Sequence, residues 1–481
     1  MNIRTLIVLG LFTFAPTLAS AAPSFPGAQG GGAVSVGGRG GQVIEVTNLN
    51  DSDAGSLRAC VTTSGPRTCV FRVGGTIQLL SQIEIYNPFL TVAGQTAPGG
   101  GILLSGKNIS SYTMLHIAAN NVIWRYTRIR KGWHPSGAGE NTNLGTAMFL
   151  SGGSNNSIID HNSVSWNQDE GIAVWHNGTG PVNNITISSN LVAEGLADHA
   201  TGYIASGAGV ARRAGMTNID YHHNLTMNEG HRNPAITIKS SRYVNNITYN
   251  VQLFDVQVGW PDLSMDTDFI GNLWKAGPLN NGHHEVAAHG TQSIYMSGNK
   301  GYNQSNPAGD QWLMANRITG QNGPEVGPVP SGWRRATPMA NTTHPIIAEP
   351  VAGLEASILP IVGASRRLDC NGNWVANRDT VDTRLINQYQ TNTGITALPS
   401  TEASVGGFPV IAGGTPCTDT DHDGMPDVWE TARALNPNNP ADRNAIAKSG
   451  YTNLEDYLAG TGSSTPATPP PERKCTKEPL A

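Results

Sequence analysis

Between residues 155 and 299, short apolar runs of alternating β-branched residues return at nearly regular intervals, each bracketed by Asn. The phrase reads Asn-Ser-Ile-Ile-Asp-His-Asn at 156–162, Asn-Ile-Thr-Ile-Ser-Ser-Asn at 184–190 and Asn-Ile-Asp-Tyr-His-His-Asn at 218–224. A shortened copy occupies 246–250, and 268–272 and 293–299 continue the series with the leading residue changed. Taking Asn162, Asn190, Asn224, Asn250, Asn272 and Asn299 as the closing residues gives steps of 28, 34, 26, 22 and 27 residues. Brief strands repeated at this spacing, with unequal loops between them, predict a coil of parallel strands. The expected fold is all-β, a right-handed parallel β-helix with one copy per coil.

The recurring Asn has a physical reason. Asn tolerates the left-handed backbone region of a tight turn, and its amide can bond the same residue in the next coil, so the copies predict a stacked Asn ladder. On this reading the sequons at Asn155, Asn184, Asn224 and Asn246 are ladder or turn positions and not glycan sites. Upstream, the segments 68–73, 76–80, 83–86, 90–93 and 102–104 are apolar and punctuated by Gly, Pro and Asn, and fit earlier coils. The stretch 120–130 alternates, setting Arg128 and Arg130 on one face and Thr127 and Ile129 on the other. Two arginines on one strand face could clamp carboxylates or be solvated. The Gly-rich run at 30–41 lacks the Gly-Lys-Ser/Thr of a phosphate loop and reads as a turn feeding the first strand.

Composition supports this picture. With 57 Gly, 30 Pro and 14% charged residues, the chain is turn-rich and poor in long-helix signals. A formal net charge of −5 argues against a general nucleic-acid binder while leaving room for a local basic cleft. Residues 1–21 combine Arg4, an apolar run at 6–14 and Ala19, Ser20 and Ala21 as a cleavage site, which reads as a signal peptide too short to span a bilayer. An exported protein, secreted to the extracellular space, is expected, with no membrane partner. Export permits disulfides, and Cys60 with Cys69 would close a small loop. Cys370 could pair with Cys417, or either of them with Cys475.

Several motifs occur in order along the chain: Phe25-Pro26-Gly27-Ala28, Gly37-Gly38-Arg39-Gly40-Gly41, Gly55-Ser56-Leu57-Arg58, Ala93-Gly94-Gln95-Thr96-Ala97-Pro98-Gly99, and Asp160-His161 followed by Ser165-Trp166. Together they resemble secreted pectate lyases of polysaccharide lyase family 1, over about Phe25 to at least Asn250. The resemblance implies an enzyme, a carbon–oxygen lyase, that cuts an acidic plant cell-wall polysaccharide, pectate or pectin, by β-elimination, acting as a monomer. That reaction removes the C5 proton of a uronate, stabilises the anion conjugated to its carboxylate, and expels the C4 oxygen. A cation on the carboxylate serves the middle step, because negative charge accumulates there.

The resemblance assigns the catalytic base to Arg232, in His231-Arg232-Asn233-Pro234. A guanidinium holds its proton strongly, so this role demands burial and a C5 proton acidified by a cation. Substrate binding is expected at His199, Lys239, Arg242 and Trp166, with Trp133 and Trp175 as further candidates for stacking on sugar rings; the alternatives are a turn residue for His199 and packing across coil ends for the tryptophans. Asp169 and Glu170 match an acidic pair that would hold Ca²⁺ in the groove. Two further acids of the family pattern are replaced here, by Thr146 and Ala173. Asp160 reads as structural, buried beside the ladder. His222 and His223, adjacent on a strand, should face opposite ways and so not chelate one metal.

A second calcium site is legible near the C-terminus. Asp419, Asp421, Asp423, Asp427 and Glu430 occupy loop positions 1, 3, 5, 9 and 12, with Gly424 at 6 and Met425 at 7, the spacing that wraps oxygen ligands round one ion. The segment 450–458 resembles the second half of dockerin-like and thrombospondin-type-3-like paired loops. Aligned with the first, it puts Ala445, Ala447 and Ser449 at ligand positions, so it reads as metal-free, with Tyr451, Leu454 and Leu458 forming an apolar helical face. The expected organisation is therefore a signal peptide at 1–21, a β-helix lyase domain at 22–410 with an irregular last part, a small EF-hand-like calcium and helical module at 411–461, and a tail at 462–481. Three rival readings remain: a lyase for methyl-esterified pectin, a hydrolase, which needs paired carboxylates with room for water, and a non-catalytic polysaccharide-binding β-helix. The side of the coil on which Arg232 lies relative to Asp169 discriminates the last from the lyase.

Overall fold

The computed structural model describes residues 22–109, 113–134, 145–196, 201–261, 263–280, 282–320 and 322–460. The signal-peptide segment, Cys475 and the tail lie outside the described residues. The chain winds as a right-handed parallel β-helix built from three sheets. Sheet A has ten strands from Gln42–Val46 to Gln292–Ser297, sheet B eight from Gly75–Gln78 to Leu273–Lys275, and sheet C ten from Ile83–Ile85 to Glu325–Pro328, the last antiparallel to its neighbour. Each coil lends one strand to each sheet: Ser157–Asp160, Ser163–Ser165 and Glu170–His176, for example, then Ile185–Ser188, Leu191–Ala193 and Thr201–Gly207. Register keeps like beside like, so that Ile159, Ile187, Tyr221, Tyr243 and Phe269 stack in one buried column of the interior. Parallel strands covered on both faces need this density of apolar residues.

The corners explain the Asn periodicity. Between sheets A and B, Asn162 donates from both its backbone N and its Nδ2 to Asn190 Oδ1, at 2.8 and 3.1 Å. The double bond repeats from Asn190 to Asn224, Asn246, Asn272 and Asn299 in turn, and Gln311 Oε1 closes the series. The fourth rung is Asn246, not Asn250 as the spacing suggested. Asn250 sits at the next corner, between sheets B and C, in left-handed conformation, and donates to Asn228 Oδ1 at 2.6 Å. A third column, Asn156, Asn184 and Asn218, links the C-to-A corners through 3.0 Å side-chain bonds. A chain that must turn three times per coil uses Asn at each turn, so one copy can carry two or three Asn with different duties.

Two further expectations are refined. The alternating stretch 120–130 is two strands, Val122–Arg125 and Arg128–Arg130, broken by the left-handed Tyr126. Arg128 and Arg130 are fully buried and do clamp carboxylates, but those of this chain: Arg130 donates to Asp379 Oδ2 at 2.6 Å and to Asp382 Oδ1 at 2.9 Å, and Arg128 pairs with Asp379. Both acids open the helix Thr380–Thr391, whose Val381, Leu385, Ile386 and Tyr389 cover the outer face of sheet B. The Gly-rich start does not simply feed the first strand. It crosses sheet A, with Gly31 N donating to Asp220 and Gly32 N to Thr186, and a Cβ at Gly32 would lie 2.1 Å from the Ser157 carbonyl.

Cys60 bonds Cys69, and Cys370 bonds Cys417. The C-terminal segment packs Met425, Trp429, Leu454, Tyr457 and Leu458 with Ala93, Leu368 and Val43, in a cluster separate from the core inside the first coils. Among the described residues no helix is long and apolar enough to cross a membrane.

Candidate active site and calcium centre

The entry edge of sheet C brings the leading residues together. Glu170 opens the strand Glu170–His176 and pairs with Thr201, which bridges to His231 one coil further on. Arg232 follows in left-handed conformation (φ 58°), and its carbonyl accepts from Tyr203 N at 3.2 Å. Three successive rungs thus carry Asp169 and Glu170, then Thr201, then Arg232. Burial lowers the Arg232 pKa from its ordinary value, while the charges of Glu170 and Asp169 oppose the shift, so the guanidinium lies in the field of both acids. Its Nε donates to Gln257 Oε1 at 3.3 Å.

Asp169 precedes the strand and its carboxyl bonds that of Glu170. Burial, and then the charge of Asp169, push Glu170 up to about 8; burial raises Asp169 as well, against Arg232. Thr146, standing where an acid was expected, donates its hydroxyl to Glu170 Oε2 at 2.7 Å. Ala173, the other replacement, joins Ile204, Ala235, Phe149 and Trp175 in an apolar patch on the outer face of the same sheet. The edge therefore offers a guanidinium and an acid pair beside an apolar floor.

Other candidates fall elsewhere. His199 lies outside the described residues. Lys239 is at the opposite, C-to-A corner, where its Nζ contacts Asp266 at 2.6 Å. Arg242 is buried in sheet A, paired with Asp220 and donating to the Ala340 carbonyl. Trp166 is fully buried against Phe408 and donates to Glu194, so it packs across coils and offers no face to a sugar. Trp133 is exposed at 38% and Trp175 half-buried. Asp160 is structural: although burial acts the other way, His161, Arg125 and Ser188 hold it well below the usual carboxylate range. His222 and His223 do not face apart. The left-handed backbone at His223 breaks the alternation, and their Nδ1 atoms meet at 3.0 Å.

The C-terminal loop forms the acid cluster its spacing suggested, with one exchange. Asp419, Asp421 and Asp423 converge, and so do Asp423, Glu430 and Asp442. Asp427 is not among them; it accepts from Thr420 N and Oγ1 at 2.7 and 2.6 Å and holds the loop closed. Asp442, twelve residues beyond Glu430, takes a place that a reading confined to a twelve-residue loop could not find. Both oxygens of Asp421 and Glu430, Asp423 Oδ2 and Asp442 Oδ1 are buried without a hydrogen-bond partner. Burial and mutual repulsion raise Asp423 to about 7 and Glu430 to about 8. Orphaned carboxylate oxygens in such number suit a hard cation with an all-oxygen shell. Among the described residues both candidate metal clusters lie in this loop and none at the groove.

No model of a protein family matches the chain. It is 34% identical over 469 residues to a probable pectate lyase C of Neosartorya fischeri, spanning 97% of this chain and 100% of that one. To a probable pectate lyase C of Aspergillus terreus it is 35% identical over 442 residues, 91% and 93% of the two chains. In fold it is similar to the crystal structure of Jun a 1, the major allergen from cedar pollen, with a TM-score of 0.51 at 17% identity, covering 70% of this chain and 92% of that one.

Proposed function

We propose, from the premise that the chain belongs to the pectate lyase family, that it is a secreted polysaccharide lyase cleaving polygalacturonate by calcium-assisted β-elimination along the entry edge of sheet C. The observation that carries this reading is the juxtaposition of Arg232 with Asp169 and Glu170 on rungs of one sheet. Arg232, in the neutral form that its burial favours by loosening its hold on its own proton, accepts the C5 proton. The C4–O bond then breaks, the C4=C5 double bond forms, and the leaving oxygen takes a proton from water. Asp169 and Glu170 are the residues that would hold Ca²⁺, which when bound withdraws charge from the uronate carboxylate. Thr146 orients Glu170. Among the described residues two carboxylates stand there, and the substrate's own carboxylates would add to the shell. The C-terminal cluster is the second calcium site, and its role is structural.

A lyase for methyl-esterified pectin is the second reading, favoured by Ala173 and the apolar patch beside the acid pair, which suit an uncharged ester. A hydrolase is disfavoured, because the two acids touch and leave no room for water between them. The test mixes the protein with polygalacturonate and with methylated pectin, with and without chelator, and follows ultraviolet absorbance of unsaturated ends. Calcium-dependent absorbance from polygalacturonate is expected, and Arg232→Ala should lower kcat by about 10²-fold or more with the fold intact. Absorbance from neither polymer at any calcium level would end the lyase proposal.

A further inference from the structure

Away from the groove, at the corner between sheets A and B, a cavity of 210 Å³ opens where three distant segments meet: the N-terminal loop at Phe25, the corner residues Tyr126, His161 and Ser189, and the C-terminal strap at Arg366 and Trp374. That is room for several waters or one ring-sized molecule. Its charges do not cancel. Arg125 is satisfied, donating to Asp160 Oδ2 at 2.8 Å with its guanidinium 3.6 Å over the Phe25 ring. Asp160 in turn is spent on Arg125, His161 and Ser188. Burial lowers His161 and takes His222 down to about 3, so both imidazoles stay neutral near pH 7. That leaves Arg366. Its guanidinium lies 5.0 Å from the Trp374 ring centroid, it bonds Tyr126, its Nε is buried without a hydrogen-bond partner, and no ion pair to it is found among the described residues.

A half-buried guanidinium with no counter-ion, beside an aromatic wall, is the arrangement that receives a carboxylate, since its planar fork matches the two oxygens. The Trp374 and Phe25 side chains give the rest of a ligand an apolar surface to lie against. We infer that this corner cavity is a second, non-catalytic binding site for one carboxylate-bearing sugar, with Arg366 on the carboxylate and the ring against Trp374. The choice of a uronate rests on the proposed function; the cavity and its unpaired charge do not.

Calorimetric titration of the full chain tests it, with galacturonate, galactose and inorganic phosphate as probes. Galacturonate should bind wild type and Arg232→Gln alike, and Arg366→Gln should bind it at least tenfold more weakly while cleaving polygalacturonate within twofold of wild type. Galactose and phosphate should each bind at least tenfold more weakly than galacturonate. Galacturonate binding untouched by Arg366→Gln overturns the site; phosphate binding as tightly reduces it to an anion site and overturns the sugar. Should Arg366→Gln not fold, wild-type crystals soaked in galacturonate decide, with the sugar either at Arg366 or absent from the cavity. If the chain cleaves neither polymer yet binds galacturonate through Arg366, the lyase reading falls and this one stands.

Discussion

Glu229 and Asp442 show how much a single side chain's fate depends on what surrounds it. Glu229 is fully buried, with Gly195 N on Oε1 at 3.1 Å and, among the described residues, no hydrogen-bond partner on Oε2, and burial raises it from 4.5 to about 8. A carboxyl whose folded pKa exceeds its unfolded one binds more protons folded, so it favours the fold fully below pH 4.5 and loses that contribution as pH rises to about 8. Glu229→Gln should therefore gain melting temperature relative to wild type at pH 8.5 and not at pH 4, read by thermal unfolding at both. Nothing in the sequence around Glu229 announces this, because burial is a property of the coil. Asp442 and Asp427 make the converse pair. Asp427→Asn should leave calcium affinity nearly unchanged, whereas Asp442→Asn should weaken it at least tenfold, measured by titration of the chelator-stripped protein. The loop spacing identified Asp419, Asp421, Asp423 and Glu430, since local spacing fixes how a loop curls; it could not see an oxygen brought in from the next turn of chain.

Among elements, the corners and the covering helix differ in how openly the sequence wrote them. The Asn ladder was legible because a solenoid repeats its turn chemistry at each coil. Its rung assignment at Asn246 was not, because sheets A, B and C each need a left-handed residue and Asn serves several corners. The ladder carries weight: Asn224 joins Asn190 to Asn246 and also donates to the Ile187 carbonyl at 2.8 Å. Asn224→Ala should cost about 3 kcal/mol, since it strands several buried polar groups at once, and denaturant unfolding measures it. The helix Thr380–Thr391 falls in the part of the chain that the sequence reads as irregular. One apolar stripe on twelve residues predicts a partner surface without naming it, and the partner, sheet B, carries the buried Arg128 and Arg130 that its first turn neutralises.

At the scale of the whole molecule, the C-terminal loop is fastened to the opening coils. Arg72 pairs with Glu45 at 3.1 Å and lies 3.7 Å from Asp419, Arg39 pairs with Glu455 at 2.6 Å, and Gly424 lies against Val43 and Val70. Calcium in this loop should thus stabilise the first coils as well as the loop. At a free concentration of a hundred times its dissociation constant it adds about 2.7 kcal/mol. Chelator should lower the melting temperature of wild type and lower that of Asp442→Asn by about half as much or less, since tenfold weaker binding leaves about 1.4 kcal/mol at the same calcium concentration, as scanning calorimetry would show. Activity loss on chelation then has two sources, and Asp442→Asn separates them, because its groove acids remain.

What the sequence determined by itself was whatever repeats or is spaced locally: the parallel coil, the Asn turns, the loop acids and the motif order that marks the family. Only the tertiary structure decided which distant groups share a space. It put Arg232 two rungs from Glu170, took Trp166 out of reach, turned His222 toward His223, and set Arg366 beside a cavity whose acid, Asp160, is spent on Arg125, His161 and Ser188. The physical reason is that winding brings together residues about 22 to 35 positions apart, and the returning strap residues hundreds apart, while turn chemistry and ligand spacing act over a handful.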